Sequence, residues 1–271
     1  VLAGNTDSIF VRKSGATQPE DFQALMEAIN QRTGLSIELE GIFEWLAFLP
    51  SKINPRIGAS NRYFGKFYDG ALKVRGMAQR RADTPAWITT IEREIMSELA
   101  SEADTERLSE HLPDALGIIY QAVAELYAER VPLEELVTRK RLAREPQDYS
   151  GQSEPAKAAL QLRAAGIEVR VGQRVPMLYI KGKKPGVSAW GLPDEPKWNL
   201  IDKARYRDLL VRSVFQVLQP LGMNENDLTS LVIGGGRQLA LWPETCVGEA
   251  DDDDSLTDEL FGDTTYTGRM E

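Results

Sequence analysis

Val1-Leu2-Ala3-Gly4-Asn5-Thr6-Asp7-Ser8-Ile9-Phe10-Val11 opens the chain with two short apolar runs separated by turn-forming residues. Such a run, break and run reads as strand, tight turn, strand. An acidic oxygen at the apex of a hairpin sits on a rigid platform suited to a metal ion. The same residues can instead close an Asx turn, Asn5 and Asp7 bonding their own backbone. Working outward, Thr17-x-x-Glu20 with Pro19 has the form of a capping box, and Phe22, Leu25, Met26 and Ile29 recur at helical spacing up to Gly34. Leu35, Ile37 and Leu39 alternate with polar residues as in a half-buried strand continuing to Leu49, which puts Glu38 and Glu40 on its solvent face or, alternatively, beside an outer metal. Two further strands flank the hairpin signal Asp69-Gly70. The expectation is an α+β layer of antiparallel strands with one helix.

After Asp83 the pattern turns helical. Thr84 can cap, Pro85 suits the first helical position, and Trp87, Ile88, Ile91, Ile95 and Leu99 form an apolar stripe. A second helix carries Leu116, Ile119, Tyr120, Val123 and Tyr127. A basic segment, Arg139-Lys140-Arg141 with Arg144, precedes a short helix from Pro155 to Ala165 that ends at Gly166. Two strands are expected around Val169 to Ile180, then Pro/Gly-rich loop sequence to Trp198, then a long helix through Tyr206, Leu210, Val214 and Leu218. Beyond Leu221 the periodic signal weakens. These readings divide the chain into 1–95, a mainly helical 96–233, and a tail 234–271 that begins at the glycine joint Gly234-Gly235-Gly236. The like-charge block Asp251 to Asp254 reads as disordered.

Among 271 residues there is one Cys, Cys246, and one His, His111. That excludes an intramolecular disulfide, a cysteine-rich zinc or iron–sulfur site and a His-cluster metal site. Metal chemistry of the expected kind would use carboxylates, which suits Mg²⁺ or Mn²⁺. The net charge of −9 is unevenly placed: residues 244–271 hold ten acids and one Arg, leaving 31 basic and 31 acidic residues in 1–243. Lys52 to Arg81 carries eight basic residues against one acid, Asp69, with Tyr63, Phe64, Phe67 and Tyr68 among them. Such a stretch is either a solvated strand face or a surface for a phosphate backbone. No apolar run approaches a membrane span, so a soluble, cytoplasmic protein is expected, with no membrane partner. No Met and no leader pattern precede Val1, as expected of the C-terminal part of something longer.

Taken together, four segments resemble family B DNA polymerases in the family's order and approximate spacing. Val1 to Val11 resembles the third palm motif, usually Tyr-Gly-Asp-Thr-Asp-Ser, and Asn61-Arg62-Tyr63 resembles the end of Lys-Lys-Arg-Tyr. Arg75-Gly76, Arg81 and Asp83-Thr84-Pro85 are similar to the Arg-Gly, Arg, Asp-Thr-Pro passage from palm to thumb. Arg139-Lys140-Arg141-Leu142 with Asp148-Tyr149, Ala158-Ala159 and Gly166 resembles the thumb pattern. The resemblance covers roughly residues 1–220. It implies half of a polymerase palm followed by a thumb, with the fingers and the rest of the palm upstream. It also implies primer–template DNA and dNTP as partners, a nucleoid-associated location, and two-metal phosphoryl transfer with Mg²⁺ or Mn²⁺. Asp7 then matches the metal-ligating catalytic Asp, and Asn5 stands at the first Asp of the pair, where its amide oxygen could coordinate without adding charge. Arg62, Tyr63, Arg75 and Arg81 match palm positions that hold the duplex, and Arg139, Lys140 and Arg141 match the thumb. Ala3 replaces the usual Tyr, Ser60 and Asn61 stand at the Lys pair, and Ala78 at a common Glu. These departures leave open a catalytically inactive, DNA-binding and clamp-tethering descendant of the scaffold.

Past the glycines, Gln238-Leu239-Ala240-Leu241-Trp242 resembles the Gln-Leu-x-Leu-Phe peptide that bacterial polymerases present to the sliding clamp. Leu239, Leu241 and Trp242 would fill apolar pockets while Gln238 hydrogen-bonds, and tethering would keep a weak binder on its template. The other reading is a terminal apolar helix turn. The peptide implies a bacterial DNA polymerase II-like lineage.

Overall fold

The computed structural model describes residues 1–51, 54, 57–77, 83–102, 105–149, 153–182, 186–194 and 196–234. Strands β1 (Ala3–Gly4) and β2 (Ile9–Phe10) pair antiparallel, Ala3 opposite Phe10 and Gly4 opposite Ile9, as the opening turn residues require. Helix α1 (Glu20–Thr33) starts without the capping box. Pro19 occupies the cap, and the Asp21 carboxylate reaches back to accept the backbone N–H of Gln18 and Thr17 at 3.0 and 2.9 Å. Those two bonds hold the Asp21 carboxyl below its ordinary range. The helix ends where expected, with Gly34 in the left-handed region at φ 72°.

Residues 35–39 are not strand: β3 (Phe43–Pro50) begins only at Phe43 and pairs with β4 (Gly58–Phe67), which pairs with β5 (Leu72–Arg75). Both pairings are antiparallel, and Gly70 turns the second at φ 86°. Opposed residues share a face. Ala47 opposite Phe64, and Phe64 opposite Val74, therefore define one face, which joins Trp45 and Leu49 in the main core. Phe48 opposite Tyr63, and Tyr63 opposite Arg75, define the other.

Helix α2 (Ala86–Leu99) buries Trp87, Ile88, Ile91, Ile95 and Leu99, the whole predicted stripe, with Pro85 rather than Thr84 at its cap position. Each such aliphatic side chain is worth about 1.5–3 kcal/mol when fully removed from water. α2 runs unbroken through residue 95, and its apolar face shares one core with Trp45, Leu49, Phe64 and Met77. The expected division near 95 therefore falls inside a helix. α3 (Leu112–Tyr127) and α5 (Lys203–Leu218) pack on α2.

The second half is less purely helical than its sequence pattern. β6 (Thr138–Arg141), β7 (Arg174–Tyr179) and β8 (Val187–Ala189) form a three-stranded antiparallel sheet. Only one strand forms between 169 and 180, and its partners are the basic segment and a strand inside the Pro/Gly-rich loop. Helix α4 (Glu154–Ala164) is pinned to the β8 edge by Gln161, whose amide donates to the Val187 carbonyl at 3.2 Å and accepts from the Ala189 N–H at 2.7 Å. A further helix, α6 (Glu225–Gly234), follows where the periodicity had faded; its Leu228 and Leu231 are buried. No helix among the described residues is long and apolar enough to cross a membrane.

Candidate nucleic-acid and metal site

The opening hairpin is closed by a single side chain. Asn5 Oδ1 accepts the backbone N–H of Asp7 and of Ser8, each at 2.9 Å, and the Ser8 hydroxyl at 3.0 Å, while the Asn5 N–H donates to the Ser8 carbonyl at 2.9 Å. Three donors fill the acceptor capacity of an amide oxygen. In this structure Asn5 therefore holds the turn, and its oxygen has no lone pair left for a cation. Asp7 stands at the apex, exposed, and its carboxylate makes no hydrogen bond or ion pair among the described residues. A hard divalent cation needs such a free oxygen.

Phe10 seats the hairpin. Its ring meets Phe48 at 5.2 Å and Tyr63 at 5.1 Å, both edge to face, and Phe43 and Phe67 stack beside them at 4.2 Å. Tyr63, expected to face a duplex, is only 1% exposed and belongs to this aromatic cluster, which anchors β2 on the sheet. Arg75, opposite Tyr63, projects from the same face and is exposed; Lys73, opposite Gly65, shares that face and pairs with Glu40. Asp7's hairpin and Arg75 thus share one side of the sheet. Arg62 lies on the opposite side, where its guanidinium reaches Gln216 of α5 at 3.4 Å. Gly76 is obligatory for this corner: its φ is 69°, and an added Cβ would lie 2.3 Å from the Asn61 carbonyl oxygen.

The basic segment of the second half is strand β6. Arg139 and Arg141 are exposed, whereas Lys140 alternates to the other face and pairs with Glu154. Arg205 also pairs with Glu154 and lays its guanidinium 3.7 Å above the Tyr179 ring. Burial works against both charged forms here, yet the mutual pairing outweighs it, raising the Lys140 ammonium and lowering the Glu154 carboxyl. Lys140 thus ties β6 to α4 through Glu154, and Arg205 brings α5 to the same carboxylate. Pairing of β6 with β7 places Arg174 directly opposite Arg141. Arg139, Arg141 and Arg174 have no acidic partner among the described residues, and Arg174 could be found only through this pairing. The Asp148-Tyr149 motif has a local role, since the Tyr149 hydroxyl accepts the N–H of Ala143 and Arg144 at 3.1 and 3.3 Å and fixes the loop after β6. Arg81 and the peptide Gln238, Leu239, Leu241 and Trp242 lie outside the described residues.

Two basic antiparallel sheets with a hairpin-borne carboxylate on one of them have the makings of a phosphate-handling protein. Residues 1–220 match the model of DNA polymerase family B, and the chain belongs to that family. It is 30% identical over 182 residues to the DNA polymerase of Archaeoglobus fulgidus, covering 67% of this chain and 21% of that one. With DNA polymerase 2 of Aeropyrum pernix the identity is 27% over 247 residues, 89% of this chain and 27% of the relative. The fold is similar to that of the family B DNA polymerase from Pyrobaculum calidifontis, with a TM-score of 0.56 and 19% identity over 79% of this chain and 26% of that one. The chain thus spans about a quarter of the length of the curated relatives it matches.

Proposed function

We propose that this chain is the C-terminal palm and thumb portion of a DNA-directed DNA polymerase, holding primer–template DNA and supplying one metal-ligating carboxylate for nucleotidyl transfer from dNTP. The observation that carries this reading is Asp7: an unpaired, exposed carboxylate on a locked hairpin, seated on the sheet face from which Arg75 projects. The residues fit one half of a two-metal site. Asp7 would hold Mg²⁺ or Mn²⁺ together with a carboxylate from the upstream palm, and the ion when bound would polarise the attacking oxygen and the triphosphate. Asn5 supports Asp7 by shaping the turn. Phosphate contacts fall to Arg75, Arg139, Arg141 and Arg174, with Arg62 and Arg81 as further candidates, because a polymerase must hold any sequence through its backbone.

Joining the chain to its native upstream segment should give primer extension that Asp7→Ala abolishes, while the isolated chain extends nothing. Full extension by the Asp7→Ala protein would overturn the assignment. Duplex affinity should fall steeply with added salt; a flat response removes the arginine surface from the proposal.

A second reading has its own support. With neutral Asn5 and with Ala3 at the motif's Tyr, the hairpin carries one negative charge fewer than the family pattern, which favours an inactive, DNA-binding and clamp-tethering form. That form is the answer if the joined protein binds primer–template and incorporates nothing. Clamp association, and with it the bacterial lineage, rests on Gln238 to Trp242: deleting these residues should abolish clamp capture, and unchanged capture discards the idea.

A further inference from the structure

Where α2 ends and α3 begins, the chain's one histidine is ringed by carboxylates. His111 closes the 3₁₀ turn Thr105–His111 and stands at the N-cap position of α3, with no side-chain capping bond of its own. Its Nδ1 lies 3.0 Å from Glu98 Oε1, near the C-terminus of α2, and its Nε2 lies 3.8 Å from Glu102 Oε2. Asp114, in the first turn of α3, completes the group. The ligand atoms of Glu98, His111 and Asp114 all lie within 4.8 Å of one another. We infer that Glu98, His111 and Asp114 form a binding site for a divalent transition cation of the zinc type, bridging α2 and α3 and separate from the hairpin carboxylate.

Three features carry this inference. The imidazole distinguishes the group from an ordinary acidic surface, since a ring nitrogen with two carboxylates selects zinc-like ions over Mg²⁺ and Ca²⁺, which prefer oxygen alone. Spacing is the second: two ligands about 2.1 Å from a tetrahedral ion lie about 3.4 Å apart, so the Nδ1 to Glu98 pair, at 3.0 Å, needs to open by only a few tenths of an ångström to admit one. The third is orientation. With Nδ1 on the ion, the opposite ring nitrogen points toward Glu102 at 3.8 Å, beyond direct hydrogen-bond reach but on the side from which a carboxylate steadies a ligating histidine. Glu102 is itself held, since its backbone carbonyl accepts the Trp45 indole N–H at 3.2 Å and its side chain faces Arg107 at 3.5 Å. The His111 side chain is 21% exposed and that of Glu98 34%, so solvent can deliver the ion and supply the remaining ligands. Bound there, the ion would cross-brace the two helices at their open ends.

The test is calorimetric titration of the full chain with Zn²⁺ alone, in a Cys246→Ser background that removes the one thiol. One Zn²⁺ should bind per chain and raise the melting temperature. His111→Gln and Asp114→Asn should each weaken binding at least tenfold, and Asp7→Asn should leave it unchanged. Asp114 is exposed, so its variant keeps the comparison meaningful if the His111 variant folds poorly. Binding that survives both substitutions, binding lost with Asp7→Asn, or no binding at all would overturn the site. Only the Asp7→Asn result bears on the polymerase assignment, so the two proposals fail separately.

Discussion

Glu92 lies on α2 with no exposed surface, against α5, where Oε1 bonds the Ser213 hydroxyl at 2.6 Å and Oε2 has no partner among the described residues. Burial pushes this carboxyl up to about 7 from an ordinary 4.5, with the Ser213 bond pulling weakly the other way. The folded state therefore binds the proton more tightly than the unfolded chain. Its stability is intact below pH 4.5, declines as pH rises from there toward 7, and is level above. At about 1.4 kcal/mol per pH unit, that interval corresponds to about 3 kcal/mol lost by neutral pH. Glu92→Gln keeps the shape and an acceptor for Ser213 but never ionises. Urea unfolding of both proteins, followed by circular dichroism at pH 5, 6, 7 and 8, should show the variant gaining on the wild type by about 2–3 kcal/mol across the series, the first part of the loss lying below pH 5. All other titrating groups cancel in the difference. Parallel curves, with a constant gap at every pH, would refute a buried carboxyl that titrates near neutrality.

Gly76→Ala forces a side chain into the left-handed region against the Asn61 carbonyl; the urea midpoint should fall by at least about 2 kcal/mol equivalent, and a change within about 0.5 kcal/mol would remove the claimed close approach. Tyr206→Phe removes the hydroxyl that accepts the buried Tyr179 N–H at 3.0 Å and should cost about 1–3 kcal/mol in the same assay. Glu154→Gln releases Lys140 and Arg205 from their shared partner. If Lys140 then meets phosphate, the slope of log affinity for duplex DNA against log salt should steepen by about one, and an unchanged slope assigns Lys140 a purely structural role.

What could be read from the sequence was what depends on neighbours along the chain. The α2 stripe, the Gly34 stop, the Asp69-Gly70 turn and the opening hairpin all follow from residues within one or two turns of each other, and all form. The capping box failed against an equally local competitor, because Asp21 takes the Thr17 N–H that Glu20 would have accepted and holds the Gln18 N–H as well. Features decided by pairing at long range were not legible. Strand β8 hides in Pro/Gly-rich sequence and forms because β7 offers it an edge, and Arg174 gains its place beside Arg141 only through the β6 to β7 register. Tyr63 sits in a basic stretch, yet alternation turns it inward onto Phe10 and Phe48. The histidine cluster has the same origin: a turn brings the first residues of α3 back beside the last turns of α2.

The hairpin also shows why retained fold and retained chemistry must be measured apart. An aspartate at position 5 could accept the same three hydrogen bonds that Asn5 accepts, because both side chains place an oxygen at the same distance from the backbone. Asn5 therefore preserves the turn at little structural cost, and Phe10 still docks on the sheet whatever charge the apex carries. The difference is electrostatic: a carboxylate there would add a second negative charge within reach of an ion held by Asp7, and an amide does not. Asn5→Asp in the joined protein should leave the unfolding midpoint nearly unchanged while lowering the Mg²⁺ concentration needed for half-maximal extension. A shift in stability without a shift in Mg²⁺ dependence would mean that position 5 acts through the turn alone.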